Sequence, residues 1–420
     1  MSTNSSNNVV HLDEVIVAMV PFPDFSHLNQ LYVVARFITS HNIPVHFICL
    51  ADRNQDLKHR VQGGLSASNI HFHDLLVPSS LDAGNGLPSI VIFMKKLVEP
   101  IRRTCIDIST NAKRLVIIHD SIMMDHIRDV HSLIPNVESY KFHAISTFPR
   151  VRKEHEWKLN SGNIINSCRE VESKYVDLLA HTTDRQYWAV GPVHMLLESR
   201  DSSNMTKNEC IEFLDKQDVN SVIYVSFGTT TTLTQEQVNE LAFGLEQSNR
   251  NFIWVLRQAD KKMETENFEE NDEKIELPKG FEDRVDGRGL VVKNWAPQLE
   301  ILGHTSSSGF LSHCGWNSCL ESISMGVPLA AWPINYDQPF NAVFVTNLLK
   351  IATSVRSWAR REELVTASTI EKAVNKLMGT TEGIEMRQRA VELSNKIRNS
   401  VSRGGDARKE IGSFISCITK

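Results

Sequence analysis

Between Trp295 and Gln338 the chain reads WAPQLEILGHTSSSGFLSHCGWNSCLESISMGVPLAAWPINYDQ. The apolar run Gly309-Phe310-Leu311 predicts a short buried strand. It leads into His313-Cys314-Gly315-Trp316-Asn317-Ser318, and a helical pattern through Leu320, Ile323 and Ser324 then runs to Gly326. Gly315 lets the backbone approach a ligand closely, while Asn317 and Ser318 are good helix-start residues. Unbonded backbone N–H groups and the positive end of a helix dipole suit a phosphate there. Glu321, one turn in, is placed to accept hydrogen bonds from sugar hydroxyls. Asp337 and Gln338 offer two adjacent polar groups for the hydroxyls of a pyranose. The same residues are compatible with an ordinary strand–helix unit in which His313 caps and Trp295 lies in the core.

Working outward, the 420-residue chain is too long for one typical core and predicts two domains. A hydrophobic fraction of 41% is that of a globular protein, and a formal net charge of −5 gives no nucleic-acid footprint. The seven cysteines (49, 105, 168, 210, 314, 319 and 417) show no C-x-x-C spacing and predict reduced thiols of a cytoplasmic protein. The polar opening MSTNSSNNVVHLDE carries no signal-peptide pattern, and no apolar run approaches the roughly 18 residues of a membrane span. No stable membrane insertion is expected, and a monomer is.

The chain opens with a predicted buried strand, Val15 to Val20, broken by Pro21-Phe22-Pro23. Asp24-Phe25-Ser26-His27 is read as a loop, followed by a helix with Leu28, Leu31, Val34, Ala35 and Ile38 on one face. A strand from Pro44 to Leu50 completes a β–α–β unit, which puts His27 beyond the carboxyl end of the first strand. Open α/β sheets hold ligands at that edge. Leu115 to Ile118 predicts another strand, which delivers Asp120 to the same edge. On position alone His27 reads equally as a surface histidine, and Asp120 as the cap of the next helix. In the second half, strand Ser221–Phe227 runs into Gly228-Thr229-Thr230-Thr231-Thr232, a turn that suits phosphate or is a plain polar loop. The run from Asp260 to Glu276 is a solvated loop. Helices are expected over Glu363–Met378 and Gly383–Ser402.

The 44-residue segment resembles the signature box of the plant family 1 UDP-sugar glycosyltransferases, with WAPQ in front, HCGWNS and Glu321 in the middle and DQ at the end. The resemblance covers almost the whole chain and is strongest to the zeatin O-glycosyltransferase group, through HLNQL, SHNIPVHF, HDSIM, SGNI, SVIYVSFGTTT, ELPKGFE and MRQRAVEL. It implies that Trp295 stacks on uracil and that Ala296 and Gln298 hold base and ribose. It implies further that His313, Asn317 and Ser318 bind the diphosphate, that Glu321 holds the ribose, and that Trp316, Asp337 and Gln338 hold the sugar, beside Gly315 and Thr229. His27 and Asp120 resemble the family's catalytic pair: a neutral imidazole takes a proton from an acceptor hydroxyl and a carboxylate steadies the imidazolium.

The implied fold is α/β of the GT-B type, two Rossmann-like domains facing across a cleft. The expected divisions are 1–190 for the acceptor domain, shortened near 148–158, and 191–208 for a linker. Residues 209–383 form the donor domain, and 384–420 cross back to pack on the first. No G-x-G-x-x-G follows a strand, which argues against a dinucleotide-dependent dehydrogenase. No Asp-x-Asp pair is present, so metal-independent transfer without a cofactor is expected. The co-substrate is UDP-glucose, with UDP-xylose as runner-up, and the acceptor a hydroxylated plant metabolite such as a cytokinin or a phenolic. The rival readings are a UDP-sugar-binding protein with little turnover and a C-glycosyltransferase. Two departures stand out from the family pattern: Ser26, where Gly usually precedes the histidine, and Asn335-Tyr336 ahead of Asp337.

Overall fold

The computed structural model describes residues 13–60, 69–76, 89–149, 160–197, 208–229, 231–257, 275–293 and 295–420. Most of the expected shortening at 148–158, of the linker at 191–208 and of the loop at 260–276 therefore lies outside the described residues, as does Thr230.

The first sheet is built from β1 (Asp13–Val20), β2 (Val45–Leu50), β3 (Ile70–Leu75), β4 (Ala112–Asp120), β5 (Val137–His143), β6 (Gly162–Ile165) and β7 (Tyr187–Ala189). All pairings are parallel, in the order β3-β2-β1-β4-β5-β6-β7. The second sheet contains β8 (Val222–Ser226), β9 (Asn251–Val255), β10 (Gly289–Val292), β11 (Ser307–Ser312), β12 (Leu329–Ala331) and β13 (Ala352–Ser354). It is also parallel, ordered β10-β9-β8-β11-β12-β13. Strands covered by helices on both faces read as continuous apolar runs. Leu115 to Asp120 are accordingly all buried, and so are all residues of β8 and β11.

Each strand order reverses once. In the first sheet it does so between β1 and β4, in the second between β8 and β11. Such a switch point opens a crevice beyond the carboxyl ends of the two strands, because the chain leaves them in opposite directions. The residues delivered there are His27 and Asp120 in one sheet, and Gly228 and His313 in the other.

Among the elements between the strands are α3 (Ser89–Ser109), α4 (Val130–Leu133), α5 (Arg169–Thr183), α6 (Glu209–Leu214), α7 (Gln235–Ser248), α8 (Phe281–Arg284), α9 (Gln298–Gly303) and α11 (Gln338–Val343). Several helices escaped the periodicity, and two of them bear on the packing. α2 (Ala51–Arg60) buries Leu57 but is otherwise almost wholly polar, so no apolar face marks it in sequence. α14 (Asp406–Ile418) follows the long α13 (Thr381–Val401) after a break at Ser402–Gly405. It is α14 that reaches the first sheet, where Ile411, Phe414, Ile415 and Ile418 join Tyr140 and Trp188 in one core. α13 lies mainly against α10 (Trp316–Met325) and α12 (Ala367–Gly379), and also touches α5 of the first domain. No helix among the described residues is long and apolar enough to cross a membrane.

Candidate active site

The expected loop at Asp24–His27 is the opening turn of a helix, α1 (Phe25–Thr39). Asp24 caps it: its Oδ1 accepts the Ser26 N–H at 2.8 Å and its carbonyl accepts the Leu28 N–H at 2.8 Å. His27 therefore has a fixed backbone in the first helical turn. Strand β4 pairs with β1 so that His119 lies opposite Val20, and Asp120 emerges beside that turn. Its two oxygens do separate work. Oδ1 accepts the Ile122 N–H at 2.9 Å, capping the 3-10 turn Ser121–His126, while Oδ2 lies 2.6 Å from His27 Nδ1. One carboxylate thus both caps that turn and pairs with His27.

The Asp120 side chain is fully buried and that of His27 is 14% exposed. Burial disfavours an imidazolium at His27, but the adjacent Asp120 outweighs it, helped by Asp24 and Asp337, and the net pKa lies above the ordinary 6.5. With Nδ1 engaged by a carboxylate, Nε2 is the nitrogen left for chemistry. Phe22 packs edge-on against the ring at 5.3 Å.

Across from this pair, Gly228 leaves β8 with φ +77° and His313 leaves β11. Burial pushes His313 down to about 4, so its ring is neutral near pH 7 and offers hydrogen bonds rather than charge. A Cβ on Gly228 would stand 2.8 Å from His313 Nε2, and one on Gly315 would stand 2.6 Å from it. Glycine at both positions keeps that nitrogen clear. α10 begins directly after Gly315, and no side chain caps its N-terminus. The reading of His313 as a cap therefore falls away.

Three predicted donor residues form one hydrogen-bonded group. Gln298 Nε2 donates to Glu321 Oε2 at 2.7 Å and to Ser318 Oγ at 3.1 Å. Burial raises the Glu321 carboxyl to about 7, against the Gln298 N–H that favours its ionised form. Trp295 stands 64% exposed next to buried Ala296, which excludes the core alternative and leaves an open indole face. Thr229 is partly exposed in the turn after Gly228.

Two residues turn elsewhere than the sequence implied. Trp316 is buried, donates its indole N–H to Asn166 O at 2.8 Å and packs on Phe344. Gln338 is also buried; its Oε1 accepts the Ile334 and Asn335 N–H groups at 2.9 Å each, and its Nε2 donates to Asn335 Oδ1 at 2.8 Å. It builds the turn before Asp337. That turn carries Tyr336 at φ +52°, a conformation bulky residues rarely adopt. Asp337 stays partly exposed and takes a hydrogen bond from buried Asn341 at 2.8 Å, which also donates to Cys314 O at 3.0 Å.

Asn317 joins the two halves: its Nδ2 donates to Ser26 O at 2.8 Å, next to His27. Sequence reading gave no role to Asn341, Asn166 or Gln30. Asn166 and Gln30 sit inside SGNIINS and HLNQL, yet neither periodicity nor charge distinguishes them from surface polar residues.

Family models match both halves of the chain. One, described as "Glycosyltransferase, N-terminal domain", covers residues 13–158, and another, "UDP-glucoronosyl and UDP-glucosyl transferase", covers 170–382. The chain is 43% identical to zeatin O-glucosyltransferase of Phaseolus lunatus over 462 residues, 99% of each chain. It is 41% identical to zeatin O-xylosyltransferase of Phaseolus vulgaris, over 97% of this chain and 98% of that one. Among solved structures, Phytolacca americana UGT2 complexed with UDP-2fluoro-glucose and pterostilbene superposes with a TM-score of 0.78 at 25% identity, over 97% of this chain and 99% of that one. A transferase from Siraitia grosvenorii in complex with UDP gives 0.76 at 27% identity, over 97% and 100%. Both sheets and their strand orders fit the GT-B architecture.

Proposed function

Since this chain belongs to the family of UDP-glucosyl and UDP-glucuronosyl transferases, we propose that it moves glucose from UDP-glucose to a hydroxyl of a small plant metabolite such as zeatin. It is a UDP-sugar-dependent glycosyltransferase of the GT-B fold. The finer reading, an inverting O-transfer in the cytoplasm by a monomer, is ours. One observation carries the transfer itself: a buried carboxylate holds His27 2.6 Å away at Nδ1, and Asn317 at the head of α10 is bonded to the residue before it.

In this reading His27 Nε2 removes the acceptor's hydroxyl proton as the oxygen attacks the anomeric carbon from the face opposite the diphosphate. The bond from that carbon to the diphosphate oxygen breaks, and UDP leaves with the electron pair. Asp120 stabilises the imidazolium. Developing charge on UDP is met by hydrogen bonds from His313, Asn317, Ser318, Gly315 and the Thr229 turn, with the N-terminal dipole of α10 behind them. Trp295, Ala296 and Gln298 hold the base and ribose. Asp337, on the turn that Gln338 braces, and the main chain of Trp316 hold the sugar. Support for a reducing compartment is that all seven cysteines are free, six of them buried.

Glucose is favoured over galactose because an axial hydroxyl would lose a partner on the Asp337–Gln338 turn. Xylose is the runner-up, since a relative of this chain is named an O-xylosyltransferase. In competition, UDP-glucose should be consumed faster than UDP-galactose with a hydroxylated acceptor; the reverse order would overturn the assignment of the sugar.

Ribose hydroxyls donate to an ionised carboxylate, and Glu321 is raised to about 7. Binding then draws a proton off Glu321, so UDP should bind more tightly as pH rises through 7. Calorimetric titrations across that range should show this slope in the native protein and lose it in Glu321→Gln. Equal slopes in both would remove Glu321 from the ribose site.

A further inference from the structure

Three side chains and one carbonyl close a ring across the cleft. Ser26 O, the carbonyl just before His27, accepts Gln30 Nε2 at 2.8 Å and Asn317 Nδ2 at 2.8 Å. Gln30 Oε1 accepts Asn166 Nδ2 at 2.6 Å, and the same Nδ2 reaches Asn317 Oδ1 at 3.4 Å. The ring is anchored on both sides. Gln30 Nε2 also reaches Ala144 O at 3.4 Å, Asn166 Oδ1 accepts the Val193 N–H at 2.9 Å, and Asn166 O accepts the Trp316 indole at 2.8 Å. Gln30 is 5% exposed and Asn166 2%. A buried carboxamide must keep its partners or lose free energy, so these groups hold a single geometry.

We propose that Gln30 and Asn166 are positioning residues that fix the His27 turn to the head of α10. The inference rests on the assignment of His27 as the base. The base sits in the first sheet's crevice and the leaving diphosphate in the second's, so their alignment depends on contacts that cross between the sheets. Ser26 O is the hub of those contacts. Removing Gln30's donor takes one side-chain hydrogen bond from Ser26 O, and removing its acceptor takes the 2.6 Å bond from the Asn166 amide. The His27 turn then loses its register with the donor, and a misplacement near 1 Å costs about 10²-fold in rate.

Gln30→Leu keeps the approximate volume and removes both polar groups. Turnover should fall about 10- to 100-fold, with UDP affinity within about twofold of the parent because no donor contact is removed. The acidic limb of the pH–turnover profile should move, since the surroundings of His27 change. In a His27→Ala background Gln30→Leu should cost nothing further, which separates action through His27 from a general loss of structure. Should Gln30→Leu fail to fold, Gln30→Met carries the same test.

Wild-type turnover in Gln30→Leu, or an equal fractional loss with and without His27, would overturn the inference. Failure of the base assignment would show in His27→Ala alone, as retained turnover, and would take the inference with it. An inactive His27→Ala beside a fully active Gln30→Leu would sink the inference and leave the base assignment standing.

Discussion

Replacing His27 by alanine should lower turnover on an aliphatic alcohol acceptor by about 10²–10⁴-fold, the usual contribution of a positioned general base. An alcohol must shed its proton as the new bond forms, and the variant leaves no group in its place. UDP affinity should barely change, because the donor contacts come from the other sheet. For an acidic phenol the penalty should shrink, since less proton removal is needed. The active form of a base is the neutral one. With the His27 pKa raised by Asp120, activity should climb with pH through a value above 6.5. In Asp120→Asn the raising partner is gone, so that limb should move to lower pH, with a smaller loss of turnover than in His27→Ala. Steady-state turnover against pH for the three proteins decides it. Wild-type rates from His27→Ala on an aliphatic alcohol would reduce His27 to a capping-turn residue.

Gly315→Ala should weaken UDP binding by about 10- to 100-fold. The added methyl would stand 2.6 Å from His313 Nε2, closer than carbon and nitrogen tolerate, so the ring must leave its place. A hydrogen bond to a charged group is worth about 1.5–3 kcal/mol, and each 1.4 kcal/mol is roughly tenfold in affinity. Gly228→Ala should do at least as much, because its Cβ would stand 2.8 Å from the same nitrogen and its backbone sits at φ +77°. Gly412→Ala is the control: nothing lies within 4 Å of its Cβ, and binding should be unchanged. Calorimetry on the three variants reads the effect directly. Native affinity in Gly315→Ala would mean that His313 does not meet the diphosphate.

What the sequence made legible follows from how each residue carries its signal. The strands were readable because a parallel sheet covered on both faces needs continuous apolar runs, and Leu115–Ile118 or Val222–Val225 have no other use. His27 and Asp120 were legible as neighbours once their strands were placed, since both follow strands that meet at the switch point. The start of α1 was misread because Pro21 and Pro23 suggest a longer break than the Asp24 cap leaves. α2 was missed because two of the residues it buries, Arg53 and Asn54, are polar, which leaves Leu57 without an apolar stripe around it. The inward turn of Gln338 and Trp316 could not be read either. A polar side chain braced on its own turn and one offered to a ligand have the same sequence. The ring through Gln30 and Asn166 is of that kind, since it exists only once two domains meet.

The central claim is that the donor box and the His27–Asp120 pair serve one transfer. The most direct test is UDP release from UDP-glucose with and without a hydroxylated acceptor such as zeatin, together with the anomeric configuration of the product. The expected result is UDP formed in step with acceptor consumed, and a β-glucoside, the inverted product of the α-linked donor. UDP that binds but is never released in the presence of acceptor, release that ignores the acceptor, or an α-linked product would contradict it.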